Sequence, residues 1–397
     1  MQELRQRVHA VLKGEGLDAI VASAAENVFY LSGYRSLASS VIRGVQIYAV
    51  LNSQSLALVL SRADVPCALE AGLSEAELFS YGGFHFDLQE AGLQEANLQH
   101  GFPAEVQSVL SRSYGTPMEA LTAALDQMAG DSKAVAVDRG GLSLEIWDGL
   151  KVRFGTPQLR DAAGLFRSIR RIKTEDEVQL IERATRISED AIFATLEQVR
   201  EGMTEQEMVQ IFEQQELKDG GRPWFTVIAC GERAAFADSP PTSRPLKRGD
   251  IIRFNVGCTY GGYHSDIART AVFGSPTAKL VDYYNAILAG EQREFEFLRP
   301  GVHANEVFHR AMETVKSEGI PHYKRHHCGH GIGLEVYDPP LLGPNDQTVL
   351  EEGMVFCLET PYYEIGWGGL LVEDTVVITK DGARMFNQRS HELQIVE

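Results

Sequence analysis

Two hydrophobic periods alternate along this chain. Leu4, Val8, Val11 and Leu12 recur on one helical face, which predicts an amphipathic helix over residues 1–15. The apolar run that follows from Leu17 reads as a strand. Residues 47–51 and 56–60 read as two more, parted by the turn residues Asn52 and Ser53. A helical pattern over residues 117–128, a strand at 134–138 and a helix from Ser143 continue the alternation, so the first half predicts an α/β unit. No chemical constellation stands out in it.

The charge-rich stretch Ser168-Ile-Arg-Arg-Ile-Lys-Thr-Glu-Asp-Glu marks a domain boundary near residue 170, giving domains of 1–170 and 171–397. Thr174 with Glu177 forms a capping-box pattern opening a long helix from Glu175 to about Val199, and Thr204 with Glu207 opens another. Strands are expected at 224–229, 251–257, 266–272, 354–359 and 370–379, with helices at 277–298 and 304–318. Strand pairs interleaved with helix pairs predict an α+β domain built on one curved antiparallel sheet. Trp224 is assigned to its core.

Composition narrows the partners. A chain of 397 residues buries an ample core as one very large domain or two ordinary ones. Apolar content of 44% and charged content of 23% are those of a soluble globular protein. A net charge of −18 argues against nucleic acid, whose phosphates want a basic surface. The N-terminus lacks an apolar signal core and no run of 18 apolar residues occurs, so no membrane partner is expected. Five scattered cysteines, never as Cys-x-x-Cys, fit a reduced, cytoplasmic setting.

Chemistry concentrates in the second half. Residues 251–270 contain two strand-like runs around Gly261-Gly262, a hairpin-closing dipeptide. Alternation places Arg253, Asn255 and Gly257 on one face, with His264 and Asp266 sharing a face of the partner strand. Asn255 and Asp266 can thus enter one cavity, where a buried carboxylate calls for a cation. Residues 326–334 crowd His326, His327 and His330 beside three glycines, and two apolar runs reach carboxylates at Glu359 and Glu373. Asp266, His330, Glu359 and Glu373 together suit a divalent ion such as Mn, Fe, Co or Zn.

These residues resemble the pita-bread metallohydrolases: methionine aminopeptidase, aminopeptidase P, prolidase and creatinase. That family's metal ligands are Asp, Asp, His, Glu and Glu, the first two eleven residues apart and the His within Gly-His-Gly-Ile-Gly. Here Asn255 and Asp266 are eleven apart, His330 lies in Gly329-His-Gly-Ile-Gly333, and Glu359 and Glu373 complete the order. The resemblance covers roughly residues 170–390. It implies a C-terminal pita-bread domain behind a smaller N-terminal α/β domain of the prolidase, aminopeptidase P and creatinase type. By the same resemblance Asp266 and Glu373 would bridge two metals, His330 and Glu359 would complete one site, and a homodimer would form.

The chain departs from the family at four places. Asn255 replaces the first Asp, weakening one site, so one metal is expected rather than two, with a metal-free site as the alternative. His326, four residues before His330, keeps its family identity, but Tyr337 stands where a second substrate-side His is usual. Asp238 stands at or near the position of the third, and Leu371 replaces the Arg two residues before the last Glu. Asp238, His326, Tyr337 and Leu371 are therefore the candidate substrate-binding residues, in a pocket expected to favour a cationic or neutral group over a carboxylate.

Glu359 is the candidate general base, with His326 and Tyr337 as candidate donors to the oxyanion. His264 is expected behind the ligands or exposed, His327 as a solvated loop residue and Cys328 as a small buried hydrophobe. The leading reading is a metal-dependent hydrolase of peptide or amide C–N bonds, resembling Xaa-Pro dipeptidase or aminopeptidase, acting on a small molecule or short peptide. The alternative is a creatinase-like, metal-independent hydrolase or lyase of a small nitrogenous metabolite. A non-catalytic binding module ranks last, because four of five ligands remain.

Overall fold

Leu4, Val8 and Leu12 are all buried on the inner face of α1 (Gln2–Glu15), as their spacing predicts. The computed structural model describes residues 2–87, 102–129, 134–155 and 158–397, and the chain divides into two units, Met1–Ile169 and Arg170–Glu397. The first unit holds six strands: β1 (Ala19–Ala22), β2 (Tyr48–Asn52), β3 (Leu56–Ser61), β4 (Leu78–Tyr81), β5 (Val135–Val137) and β6 (Leu159–Asp161). They form one mixed sheet in the order β4-β3-β2-β1-β5-β6. Strands fully buried along their length, such as Ala19–Ala22, need cover on both faces. The helix Pro117–Met128 covers one of them, started by a capping box at Thr116 and Glu119 and packed through Leu121, Ala124 and Leu125.

The second unit opens with two helices, here α2 (Glu175–Leu196) and α3 (Glu205–Lys218). Both start on the expected capping boxes, at Thr174 with Glu177 and at Thr204 with Glu207. Its main sheet contains β7 (Arg222–Cys230), β8 (Ile251–Tyr260), β9 (Tyr263–His264), β10 (Ile267–Phe273), β11 (Gly329–Gly331), β12 (Asp338–Leu341), β13 (Val355–Glu359), β14 (Glu373–Thr379), β15 (Gly382–Met385) and β16 (Gln394–Val396). The central order is β12-β11-β13-β14-β10-β8-β7. Helices α4 (Ala278–Phe297) and α5 (Ala304–Ser317) pack on it through Ile287, Ala311 and Val315 against Phe356, Leu358 and Val376. The Gly261-Gly262 turn closes the β8–β9 hairpin with both residues at positive φ, 56° and 91°, where side chains other than Gly are strained. Among the described residues no helix is long and apolar enough to cross a membrane.

Two expectations fail for local reasons. The strand expected over 370–379 is broken: Gly368–Leu370 pairs with Tyr362–Glu364 in a separate hairpin, and Glu373 opens β14 instead of closing a strand. Thr270 causes the break, because its hydroxyl donates to Leu371 O and accepts from Leu371 N, both at 2.9 Å, in place of ladder partners. Trp224 is 61% exposed, not core. It falls where the β7–β8 register slips between Pro223 and Phe225, on the strand at the end of the sheet, so it turns outward.

Candidate metal centre

Sheet register lays out the site. Glu359, the last residue of β13, stands directly opposite Glu373, the first of β14. Glu373 is opposite Ala268, and Ala268 is opposite Asn255. Residues directly opposite share a face of the sheet, so Glu359, Glu373 and Asn255 point the same way. Asp266, two residues before Ala268, joins from the crossing into β10. His330 stands opposite Cys357, itself two residues before Glu359 and so on the same face. A carboxamide, three carboxylates, an imidazole and a thiol thus meet on one side of four strands.

His330 Nδ1 donates to Gly331 O at 3.1 Å, which turns the Nε2 lone pair toward the acids. Nε2 lies 3.5 Å from Asp266 Oδ2 and 3.8 Å from Glu373 Oε1. A lone pair facing carboxylates is repulsive unless a proton or a metal lies between them. Asn255 Oδ1, Asp266 Oδ1, His330 Nε2, Glu359 Oε1 and Glu373 Oε1 are all buried without a hydrogen-bond partner. Five orphaned polar atoms aimed at one space are what a cation would satisfy. His330 Nε2 or Nδ1, Cys357 Sγ and a Glu373 oxygen also fall within 4.8 Å of one another. Burial, then the charges of Asp266 and Glu359, hold the Glu373 carboxyl well above its ordinary range; burial raises Asp266 as well. The residues fit a divalent ion.

Among the proposed substrate residues the placement is uneven. Tyr337 stacks on the His330 ring at 3.7 Å between centroids, roofing the site while remaining exposed. His326 is exposed, its ring edge-on to His327 at 4.2 Å. His327 lies on a loop as expected but is buried rather than solvated, with Nδ1 3.0 Å from Glu359 Oε1, though not in hydrogen-bond geometry. Burial opposes ionisation of Glu359, but His327 and His330 outweigh it and lower its pKa. Asp238 is exposed, and Leu371 is fully buried, offering no surface to a ligand. His264 is buried against Trp224 at 4.9 Å between ring centroids, and Cys328 is buried as expected. Cys357 and His327 stand at the site although the sequence assigned neither of them to it.

Residues 179–380 match metallopeptidase family M24, and residues 5–172 match the creatinase/prolidase N-terminal domain. The chain belongs to metallopeptidase family M24. It is 35% identical over 256 residues to the Xaa-Pro dipeptidase of Pyrococcus furiosus, covering 64% of this chain and 74% of that protein. It is 28% identical to the Pyrococcus horikoshii Xaa-Pro dipeptidase over 395 residues, covering 99% of each. The solved prolidase from Pyrococcus horikoshii superposes with a TM-score of 0.79 at 26% identity, over 98% of this chain and 99% of that one. The α+β pita-bread expectation therefore holds, with the N-terminal domain of the creatinase and prolidase branch. This M24 chain is a metal-dependent peptidase, a hydrolase whose family chemistry uses a divalent metal and whose relatives act on peptides.

Proposed function

We propose that this M24 peptidase cleaves the C–N bond of short peptides, dipeptides first, at one tightly held divalent ion. Asp266, His330, Glu359 and Glu373 would hold it, with Asn255 as a weak, neutral fifth ligand. The convergence of their orphaned polar atoms carries this reading. A divalent ion there supplies a water acidified toward neutrality and polarises the scissile carbonyl. With the ion bound, Glu359 would be the group placed to hold the proton of that water and pass it to the leaving nitrogen. His327, 3.0 Å away, holds Glu359 in its ionised form. His326 and Tyr337 donate to the developing oxyanion, each worth about 3 kcal/mol where such a donor is removed. Asp238, exposed, is the remaining candidate substrate contact.

Manganese is the first metal to try among Mn, Co, Fe and Zn, and a homodimer is the expected assembly. We place the protein in the cytoplasm, since Cys67, Cys230, Cys258, Cys328 and Cys357 are all unpaired. Asn255 is what favours a creatinase-type, metal-independent reading instead. Elemental analysis, run beside hydrolysis of Ala-Pro, separates the two for the native chain and for Asn255→Asp. About one metal per native chain, rising toward two in the variant, is expected, because a carboxylate binds a divalent ion more firmly than a carboxamide. No metal in either form would move the protein to the creatinase-type reading.

A further inference from the structure

Little in its own surroundings holds Tyr337 over the metal centre. The ring stacks on His330 but is 54% exposed, and its hydroxyl makes no hydrogen bond among the described residues. The strand beside it is poorly laddered. His330 stands opposite Leu341, yet Gly331 stands opposite Asp338, where an unbroken ladder would set it opposite Pro340. Pro339 and Pro340 fall in this slip, and neither has an N–H to give to a ladder. Backbone pairing therefore does not fix the chain next to Tyr337.

Side chains from the segment before α2 supply the hold. Arg170, 2% exposed, donates from Nη2 to Asp338 Oδ1 at 2.6 Å, and the same nitrogen contacts Glu335. Lys173, also buried, brings Nζ to 3.9 Å from Asp338 Oδ2. These contacts grip the chain on both sides of Tyr337. Gly333 fits the same contact: a Cβ there would lie 2.8 Å from Asp338 Oδ2 and 3.2 Å from Lys173 Cε. The segment carrying the two cations is itself anchored, with Lys173 N donating to Gly353 O at 2.8 Å. One turn on, Glu177 Oε1 accepts from the Tyr263 hydroxyl at 2.9 Å, which ties the segment to the β8–β9 hairpin. A buried ion cluster contributes little net stability over apolar residues of the same volume. What its directional contacts do here is fix residues 335–338.

We propose that Asp338, clamped by Arg170 and Lys173, is a positioning residue that aims the Tyr337 hydroxyl at the developing oxyanion. The inference rests on the donor role given to Tyr337 above and adds the device that sets it. Arg170, Lys173 and Asp338 are all buried, so they act through Tyr337 rather than by meeting substrate. Misplacing a reacting group by about 1 Å can cost on the order of 100-fold in rate, so a fixed backbone at Asp338 matters to a donor one residue away.

A double-mutant cycle on Ala-Pro hydrolysis by the full-length, metal-loaded protein tests this, paired with crystal structures of the variants. Asp338→Asn keeps the side-chain shape and leaves Glu335 to neutralise Arg170. It is expected to lower kcat about tenfold, with KM within about twofold of native and metal content unchanged. Tyr337→Phe keeps the stacked ring and removes the donor. Adding Asp338→Asn to it should cost less than about a further twofold in kcat, because the lost aim then has nothing to act on. In crystals of Asp338→Asn the Tyr337 ring should leave its place on His330. Arg170→Lys keeps a cation without the reach of the guanidinium, should fall between native and Asp338→Asn, and serves in its place if that variant does not fold. Equal losses in the native and Tyr337→Phe backgrounds, a fall in metal content in place of kcat, or an unmoved ring would overturn the inference. Should native protein not cleave Ala-Pro, or Tyr337→Phe alone leave kcat at the native value, the reading of the site above fails instead. The ring then decides by itself: displaced in Asp338→Asn, the clamp stands, and unmoved, it falls.

Discussion

Replacing Glu373 by glutamine is expected to strip the protein of tightly held metal and to lower kcat/KM on a dipeptide by about a thousandfold, beyond the 10–100-fold typical of losing an outer-shell partner. Glu373 sits at the centre of the register, opposite both Glu359 and Ala268, with Oε1 3.8 Å from His330 Nε2. The same change should leave the metal-free fold at least as stable as the native one. Burial and its acidic neighbours raise the Glu373 pKa above its ordinary 4.5, so its ionisation opposes folding when no cation is present. The sign follows. Below pH 4.5 the group is protonated in both states and the two proteins should melt alike. As pH rises above that value the variant should gain over the native chain. Metal analysis, kinetics and melting curves of stripped protein at several pH values read all three effects. A variant that keeps its metal and its rate would remove Glu373 from the centre.

Arg269→Met should cost about 3–5 kcal/mol of stability, the usual consequence of removing one partner from a buried ion pair. Arg269 is fully buried, its Nη2 lying 2.7 Å from Asp374 Oδ1 and 3.3 Å from Glu189 Oε1. Its Nη1 donates to Ala268 O at 2.9 Å and Glu373 O at 3.0 Å, so it pins β10, which follows Asp266, to β14, which opens on Glu373. Glu291 is buried close to Asp374 and is held well above its ordinary range, first by burial and then by that negative charge. Losing the guanidinium leaves these acids facing one another, with His391 Nδ1 still in contact with Asp374 Oδ2 at 2.5 Å. The expected fall in Tm is at least about 6 °C for a domain of this size. A fall of under about 2 °C would show that the network behind the sheet contributes little.

Much of the site was legible because strand alternation and motif spacing are local signals. The eleven-residue interval between Asn255 and Asp266 reads directly as a hairpin with both residues facing one way, and the register bears this out. Alternation also placed Arg253 beside Asn255. Its contacts were hidden, because its carbonyl partners come from residues 234–237, a turn without period. The choice between His326 and His327 was unreadable for the same reason: both lie on the loop before β11, and only packing decides which ring meets Glu359. Trp224 failed on a bulge and an edge position, neither of which marks the sequence. The break before Glu373 depends on one hydroxyl from a strand about a hundred residues away, Thr270 bonding Leu371. Cys357 looked like an apolar strand residue until pairing set it opposite His330.

The most direct test of the account is the rate of Ala-Pro hydrolysis by the native chain before chelation, after complete removal of metal, and after return of Mn or Co. The metal centre predicts a fall of at least about 100-fold on stripping and recovery on reloading. Stripped protein that hydrolyses the peptide as fast as the loaded form would contradict it.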